Sequence, residues 1–182
     1  MLATILGSSI NHNGHGVGLT TPRVAGQRSV IEEALIRAGV KPGSIDFVET
    51  HAVGTKLGDY IELKAIADVF WNDESIRFTP LWLGSVKTNF GHLEAAAGIA
   101  ALIKVLVSMQ HNQIPPHLHL KELNRLIKRK NWPFLIPAAA ETWPSNGGSE
   151  KLAGVSAFGF GGTNCHLVVS DRSTACPIDK LD

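Results

Sequence analysis

The chain has 182 residues, 44% of them hydrophobic, enough to bury the core of one domain or one large lobe. Seventeen basic against sixteen acidic residues leave a net charge of +1, without the electrostatic footprint that nucleic acid or an anionic membrane demands. Met1 to Ile10 has no basic n-region and does not read as a signal peptide. The longest small-apolar run, Ala95 to Ile103, falls well short of the roughly 18 residues of a spanning helix, so a cytoplasmic setting is expected.

Apolar β-rich segments alternate with helical patterns, which predicts an α/β fold of parallel strands joined by right-handed crossovers. The first strand is expected over Ala3 to Ser9, ending in the turn-rich Asn11-His12-Asn13-Gly14. After Pro22, residues Val30, Ile31, Ala34, Leu35 and Ala38 recur at helical spacing, and Gly39 stands where a helix ends in the left-handed conformation. Pro42-Gly43-Ser44 makes a turn before a short strand, Ile45 to Glu49, and a second helix follows from Asp59 to Phe70.

A third strand, Leu81 to Val86, leads through a loop into an apolar helix, His92 to Gln110. Its small residues Ala95, Ala96, Ala97, Gly98, Ala100 and Ala101 cover most of the circumference, as expected of a core helix with close neighbours on several sides. From Asn112 to Gly148 the chain is rich in proline and tryptophan and weakly periodic, the pattern of a surface-wrapping segment. The basic run Lys128 to Lys130 within it reads as a solvated helix end. Two closing strands, Leu152 to Phe158 and Cys165 to Ser170, flank the turn Gly159 to Asn164. Residues 1–171 thus read as one lobe of order βαβαβαββ, and 172–182 as a disordered tail or the start of a linker.

Two cysteines, Cys165 and Cys176, are too few for a disulfide framework and lack the spacing of a zinc site. The pairs His12/His15 and His117/His119 have no Cys, Asp or Glu beside them to complete a ligand set, so no metal is expected.

Three runs concentrate chemistry. In VETHAVGTKLGDYIE, Val48 to Glu62, a strand ends in His51 before a glycine-broken loop, and ligands bind at strand C-terminal ends in open α/β folds. In GSVKTNFGHLEAAAG, Gly84 to Gly98, Lys87 and His92 flank a tight turn. His92 is expected at or near the N-terminus of the buried helix, whose positive dipole end keeps an imidazole neutral and able to donate a hydrogen bond. Lys87 falls between buried elements, a costly place for an idle ammonium. In GVSAFGFGGTNCH, Gly154 to His166, hairpin glycines permit positive φ, so the amides around Phe160 and Gly161 are candidates to cradle an oxyanion. The spacing matches neither GxGxxG nor the Walker phosphate loop.

Together these runs resemble the β-ketoacyl synthases, from about Leu2 to Asp171. LWLGSVKTNFGHLEAAAGIAALIKV and QIPPHLHL are most similar to the synthase domains of modular type I polyketide synthases. The resemblance implies the C-terminal half of a thiolase-like fold, with a mixed, mostly parallel sheet and a buried central helix. It implies that His51 and His92 are the two catalytic histidines, with Lys87 orienting the site. It further implies that Thr55 hydrogen-bonds a phosphopantetheine arm, and that Phe160 is a gating phenylalanine whose amide, beside Gly161, forms half of an oxyanion hole. The reaction implied is decarboxylative condensation of a malonyl-type extender on an acyl carrier protein with a cysteine-bound acyl chain. It runs in a homodimer, with no cofactor besides the carrier's phosphopantetheine arm.

The chain departs from the family pattern in two respects. The family's nucleophilic cysteine sits in an N-terminal half, in a motif of Asp-Thr-Ala-Cys type that this sequence lacks. Cys165 reads as a small buried hydrophobe, and Cys176 follows the last strand with no base or helix terminus to activate it. The chain is therefore expected to be a truncated sequence or a split subunit, inactive without the missing N-terminal half. Relatives also read HGTGT and then GDP, whereas this chain has HAVGT and then Gly58-Asp59-Tyr60, so Thr55 is kept and Val53 has lost a hydroxyl. Two other readings fit: a fatty-acid-type synthase of the same chemistry, and a non-catalytic lobe that binds acyl chains or sets their length.

Overall fold

The computed structural model describes residues 2–14, 18, 21–71, 80–128, 132, 134–144 and 150–172; Cys176 and the expected tail beyond Arg172 lie outside them. Strand β1 (Thr4–His12) extends past the expected Ser9, because Asn11 and His12 continue the ladder opposite Asn164 and Thr163. Helix α1 (Val24–Ala38) buries Val30, Ile31, Ala34 and Leu35, the residues that carried its period. It ends as the sequence indicates: Gly39 has φ 65°, its amide donates to the Ile36 carbonyl at 3.0 Å, and the Val40 amide donates to Leu35 at 3.1 Å.

Strand β2 (Phe47–Glu49) is followed by helix α2 (Lys56–Phe70), which starts before the expected Asp59 because the Thr55 hydroxyl caps it, accepting from the Gly58 amide at 3.1 Å. Strand β3 (Leu81–Gly84) leads to the four-residue helix α3 (Lys87–Phe90). The helix expected from His92 begins only at Ala97: Gly91 ends α3 at φ 74°, Glu94 also has a positive φ, and a 3₁₀ turn over Glu94–Ala96 precedes α4 (Ala97–Gln110). His92 therefore lies outside α4, and the dipole argument for it does not hold.

The segment expected only to wrap the surface also contributes structure: β4 (Gln113–Ile114), the short helix α5 (Arg125–Lys128), β5 (Phe134–Leu135) and β6 (Glu141–Thr142). The chain closes with the hairpin β7 (Leu152–Phe158) and β8 (Thr163–Ser170). The main sheet runs β1-β8-β7-β2-β3-β5, antiparallel through β1, β8 and β7 and parallel from β7 to β5, while β4 and β6 pair separately. This is the mixed, mostly parallel α/β sheet of the sequence reading, with a short edge strand added.

The sheet has helices on both faces, and the period of two along its strands sorts the core. Val48 and Val168 join α1 and α2, with Ile31, Leu35, Ile66 and Phe70. Phe47 and Val169 face the other way, toward Ala101, Val105 and Met109 of α4. The buried Asp46 carboxylate ties the returning chain to the sheet, accepting from the Trp143 indole at 3.0 Å and the Leu152 amide at 2.9 Å.

Burial of α4 on several sides is not what the structure shows. Ala97, Ala101, Val105, Ser108 and Met109 are buried against the sheet, but Ile99, Ile103 and Val107 on the opposite side are 56%, 52% and 46% exposed.

Helix α1 lies close against β1 at Gly7, where an added Cβ would lie 2.5 Å from the Ala38 amide nitrogen and 2.7 Å from the Ala34 carbonyl oxygen. Both atoms belong to the α1 backbone, so neither can swing aside. Gly7→Ala is expected to lever α1 off the sheet and lower stability by about 1–3 kcal/mol, read as a lower urea midpoint by circular dichroism. An unchanged midpoint would show that α1 shifts at no cost.

Candidate active site

The site grows from the C-terminal end of β2. Thr50 closes the strand, its amide and its hydroxyl both donating to the Gly84 carbonyl at 2.8 Å. The next two amides have no strand partner and turn to α2, where the fully buried Glu62 accepts from His51 at 2.7 Å and from Ala52 at 2.8 Å, one oxygen each. Burial raises the Glu62 carboxyl to about 7, against the opposing pull of those two amides. Two amide donors on two oxygens suit the ionised carboxylate. Bound this way, the chain turns sharply, with Ala52 at φ 35°.

Lys87, the first residue of α3, reaches back across this turn. Its ammonium donates to the His51 carbonyl and stands 3.5 Å from His51 Nδ1. Burial lowers the Lys87 pKa, opposed by the charges of Glu62 and Glu49. Burial, then the Lys87 charge and the His92 ring, hold His51 down at about 3, so its imidazole is neutral at any ordinary pH. With an ammonium facing Nδ1, the ring proton belongs on Nε2.

His92 meets His51 edge to face, the ring centroids 5.6 Å apart at 84°. Its own Nδ1 accepts from the Glu94 amide at 2.9 Å, which again leaves the proton of a neutral ring on Nε2. The positive φ of Glu94 brings that amide round. The two histidines, expected together from sequence, are brought together with matching tautomers.

Both rings line two adjoining clefts. One, of about 700 Å³, is walled by Ala97 and Gly98 of α4 and by Phe158, Gly159 and Phe160. The other, of about 500 Å³, opens past Val53 and Thr55. Phe158 packs against His51 with centroids 5.6 Å apart. Phe160, at the tip of the β7–β8 turn, is 84% exposed, and among the described residues no acceptor meets its amide or that of Gly161.

The turn carrying Phe160 is held from β1. His12 Nδ1 accepts from the Gly14 amide at 3.0 Å, so Nε2 carries the proton it donates to the Gly161 carbonyl at 2.8 Å. The Asn164 side chain donates to Asn11 at 2.9 Å and to Asn13 at 2.8 Å. Cys165 is half-buried on β8, burial raises its thiol pKa, and it does not line either cleft. Among the described residues no group of His, Cys, Asp and Glu could hold a metal ion, and no helix is long and apolar enough to cross a membrane.

Sequence reasoning missed Glu62, Glu49 and His12. Glu62 carried a usable signal, a carboxylate within the apolar run Ile61, Leu63, Ala65 and Ile66 of one helix, as did Glu49 at the end of a wholly buried three-residue strand. His12 had none, since its partner lies across the sheet in the hairpin.

The family model described as "Beta-ketoacyl synthase, C-terminal domain" matches residues 2–121. Polyketide synthase ThaG of Burkholderia thailandensis is 46% identical over 167 residues, which cover 92% of this chain and 3% of that protein. A phenolphthiocerol/phthiocerol polyketide synthase of Mycobacterium tuberculosis is 42% identical over 177 residues, covering 97% and 9%. The solved ketosynthase from module 6 of the bacillaene synthase of Bacillus subtilis superposes with a TM-score of 0.88 at 36% identity, over 95% of this chain and 31% of that one. The chain thus spans a small part of its multidomain relatives and under a third of a solved ketosynthase. A shared fold, an extended sequence match and a family model covering well over half the residues lead to one conclusion: this chain belongs to the β-ketoacyl synthase family, as the C-terminal domain of a ketosynthase of the polyketide synthase type.

Proposed function

We propose that this chain supplies one wall of a condensing site, and that an N-terminal half bearing a nucleophilic cysteine supplies the other. The observation that carries the reading is the histidine pair: two imidazoles at 5.6 Å, each with Nδ1 engaged and its Nε2 proton left for the cleft they share.

In the proposed reaction an acyl chain is held as a thioester on that cysteine, and a malonyl-type extender arrives on the phosphopantetheine arm of an acyl carrier protein. The bond between the extender's α-carbon and its carboxylate breaks, CO2 leaves, and the electron pair moves onto the thioester as an enolate. Two Nε2–H donors aimed at the enolate oxygen stabilise that charge in a site where water does not compete. The Lys87 ammonium and the Glu62 carboxylate hold His51 in place, while burial and the Lys87 charge keep its ring neutral, so it donates a proton to a hydrogen bond without giving it up. The enolate carbon then attacks the acyl thioester, and the resulting oxyanion takes the free amide of Phe160 and that of the cysteine. Its collapse expels the thiolate and leaves the lengthened chain on the carrier.

The arm would run through the cleft past Val53 and Thr55. The Thr55 hydroxyl oxygen is engaged by the Gly58 amide, which leaves its proton to donate. A cytoplasmic setting and assembly as a homodimer belong to the same proposal, and the acyl and extender groups are those a polyketide synthase would present.

In a complete enzyme rebuilt with a cysteine-bearing half, His51→Ala and His92→Ala are expected to load the acyl group normally. Each should then condense about 10²–10⁴-fold more slowly, as followed by mass spectrometry of carrier-bound product. Near wild-type condensation by both variants would refute the histidine roles. Binding of acyl carrier by the wild-type enzyme with loading but no condensation would favour the acyl-binding lobe instead.

Val53→Thr tests the arm's path. Valine and threonine share β-branching, and a regained hydrogen bond is worth about 0.5–1.5 kcal/mol, or roughly a two- to tenfold lower KM for the carrier-bound extender. The contact is made equally in the ground and transition states, so kcat should stay nearly constant. A KM that stays level or rises would place the arm elsewhere.

A further inference from the structure

A second carboxylate stands beside the site without touching either histidine. Glu49, the last residue of β2, follows Phe47 onto the α4 face of the sheet and is 0% exposed. One of its oxygens accepts from the Val86 amide, and the other is 2.7 Å from the Lys104 ammonium. Lys104 comes from the middle of α4, its side chain 9% exposed, and its ammonium stands 5.5 Å from the centre of the Phe47 ring. Gly84 makes room for it: a Cβ there would lie 2.9 Å from Lys104 Nζ and 2.9 Å from the Phe47 ring. Three positions on three elements thus agree on one buried ion pair.

Such a pair is a poor device for stability, since desolvating both charges offsets their attraction. Its geometry points elsewhere. Val86 immediately precedes Lys87 and caps α3, so Glu49 fixes the root of the side chain that holds His51. The charged groups around it are the carboxylates Glu49 and Glu62, with Asp59 acting on Glu62 from the first turn of α2, and the ammoniums Lys87 and Lys104. Lys104 meets the charge of Glu49, which leaves Lys87 to Glu62 and the His51 carbonyl. Without Lys104, Glu49 would be a buried carboxylate whose nearest cation is Lys87.

We infer, resting on the condensing function proposed above, that the Glu49–Lys104 pair is a positioning device: from α4 it fixes where Lys87 begins and keeps the Lys87 charge on His51. Both are positioning residues, acting on the reaction only through Lys87.

The test uses the complete synthase with Lys104→Met, Glu49→Gln, the double variant and Glu49→Asp, with condensation expressed per enzyme molecule that loads an acyl group. Loading should stay within about twofold of wild type. Each of the first two variants leaves one buried charge unpaired and should lower kcat for condensation about tenfold or more, with KM for the carrier-bound extender within about twofold. The double variant removes both charges and keeps an amide oxygen for Val86, so its kcat should recover to within about threefold. Glu49→Asp keeps a partner for Lys104 but withdraws the carboxylate from Val86. It leaves no buried charge unpaired, and it should also lose about tenfold in kcat.

Nitrogen-15 spectra of the His51 ring supply a readout that does not depend on catalysis. The single variants should move its signals, and the double variant should return them. Wild-type condensation per loaded site with unmoved His51 signals, in Glu49→Asp or in either neutralised variant, would overturn the inference. If the wild-type enzyme itself loads but does not condense, the proposed function fails, and the ring signals alone decide the role of the pair.

Discussion

The candidate site depends on where two backbone amides go once β2 has ended. His51 and Ala52 are half-buried and have left the ladder, and a backbone amide shielded from water without a partner costs about as much as a lost hydrogen bond. Glu62 meets both at once. Because its two oxygens take consecutive amides, the chain must curl at Ala52, and this curl brings the His51 ring against His92 and Phe158. The carboxylate is itself costly to bury; the two amides offset that cost first, and the Lys87 charge adds to them. The Lys87 ammonium can act on Glu62 and bond the His51 carbonyl because only Ser85 and Val86 separate α3 from β3. The ring, the turn and the lysine are therefore one arrangement.

This arrangement forms only part of an enclosure. His92 and Phe160 are exposed, both clefts are open, and the outer side of α4 presents Ile99, Ile103 and Val107 beside Phe90 and Leu93. A continuous apolar face of this kind marks an interaction surface. Gly98 and Ala97 lie on the same helix and line the cleft with the histidines, so whatever covers α4 also closes the site. The proposed cysteine-bearing half meets both demands, burying the apolar face and excluding water from the reacting atoms. Exclusion of water matters, because hydrogen bonds to an enolate are worth far more in a dry site than in bulk solvent.

Much of this was legible in the sequence, and what was not has identifiable causes. The main helices, the β7–β8 hairpin and Gly39 followed from periodicity and from the backbone freedom of one residue, which are local properties. His51, Lys87 and His92 stood out because each lies at the junction of a strand or a helix with a glycine-marked loop. The start of α4 was misplaced because alanine fits a helix and a 3₁₀ turn alike, and nothing local reveals that Glu94 adopts a positive φ. The open face of α4 was misjudged because a mostly apolar circumference shows that a surface will be covered, not which chain covers it. Strand β5 has only two residues and is recognisable through its pairing with β3, a contact between distant parts of the chain. The links Glu62 to His51, Glu49 to Val86 and His12 to Gly161 belong to the same class of long-range information.

The two departures in the His51 loop pull on different properties. Relatives carry glycine where Ala52 stands, and a positive φ of 35° costs an L-residue about 1–2 kcal/mol that glycine escapes. The turn persists because the Glu62 carboxylate holds the Ala52 amide at 2.8 Å, and releasing it would strip one oxygen of a buried carboxylate of its donor, a larger cost. At Val53 the backbone is not the issue. A Cβ added at Gly58 would come within 3.0 Å of a Val53 methyl and 2.5 Å of the Thr55 hydroxyl, so valine lies along the first turn of α2 beside the hydroxyl that caps it. Loss of a hydroxyl there removes a donor from the rim of the cleft while the cap of α2 and the seat of His51 stay intact. The change at residue 52 therefore bears on stability and, under the proposed function, the change at residue 53 on affinity for the carrier's arm; neither moves the paired imidazoles.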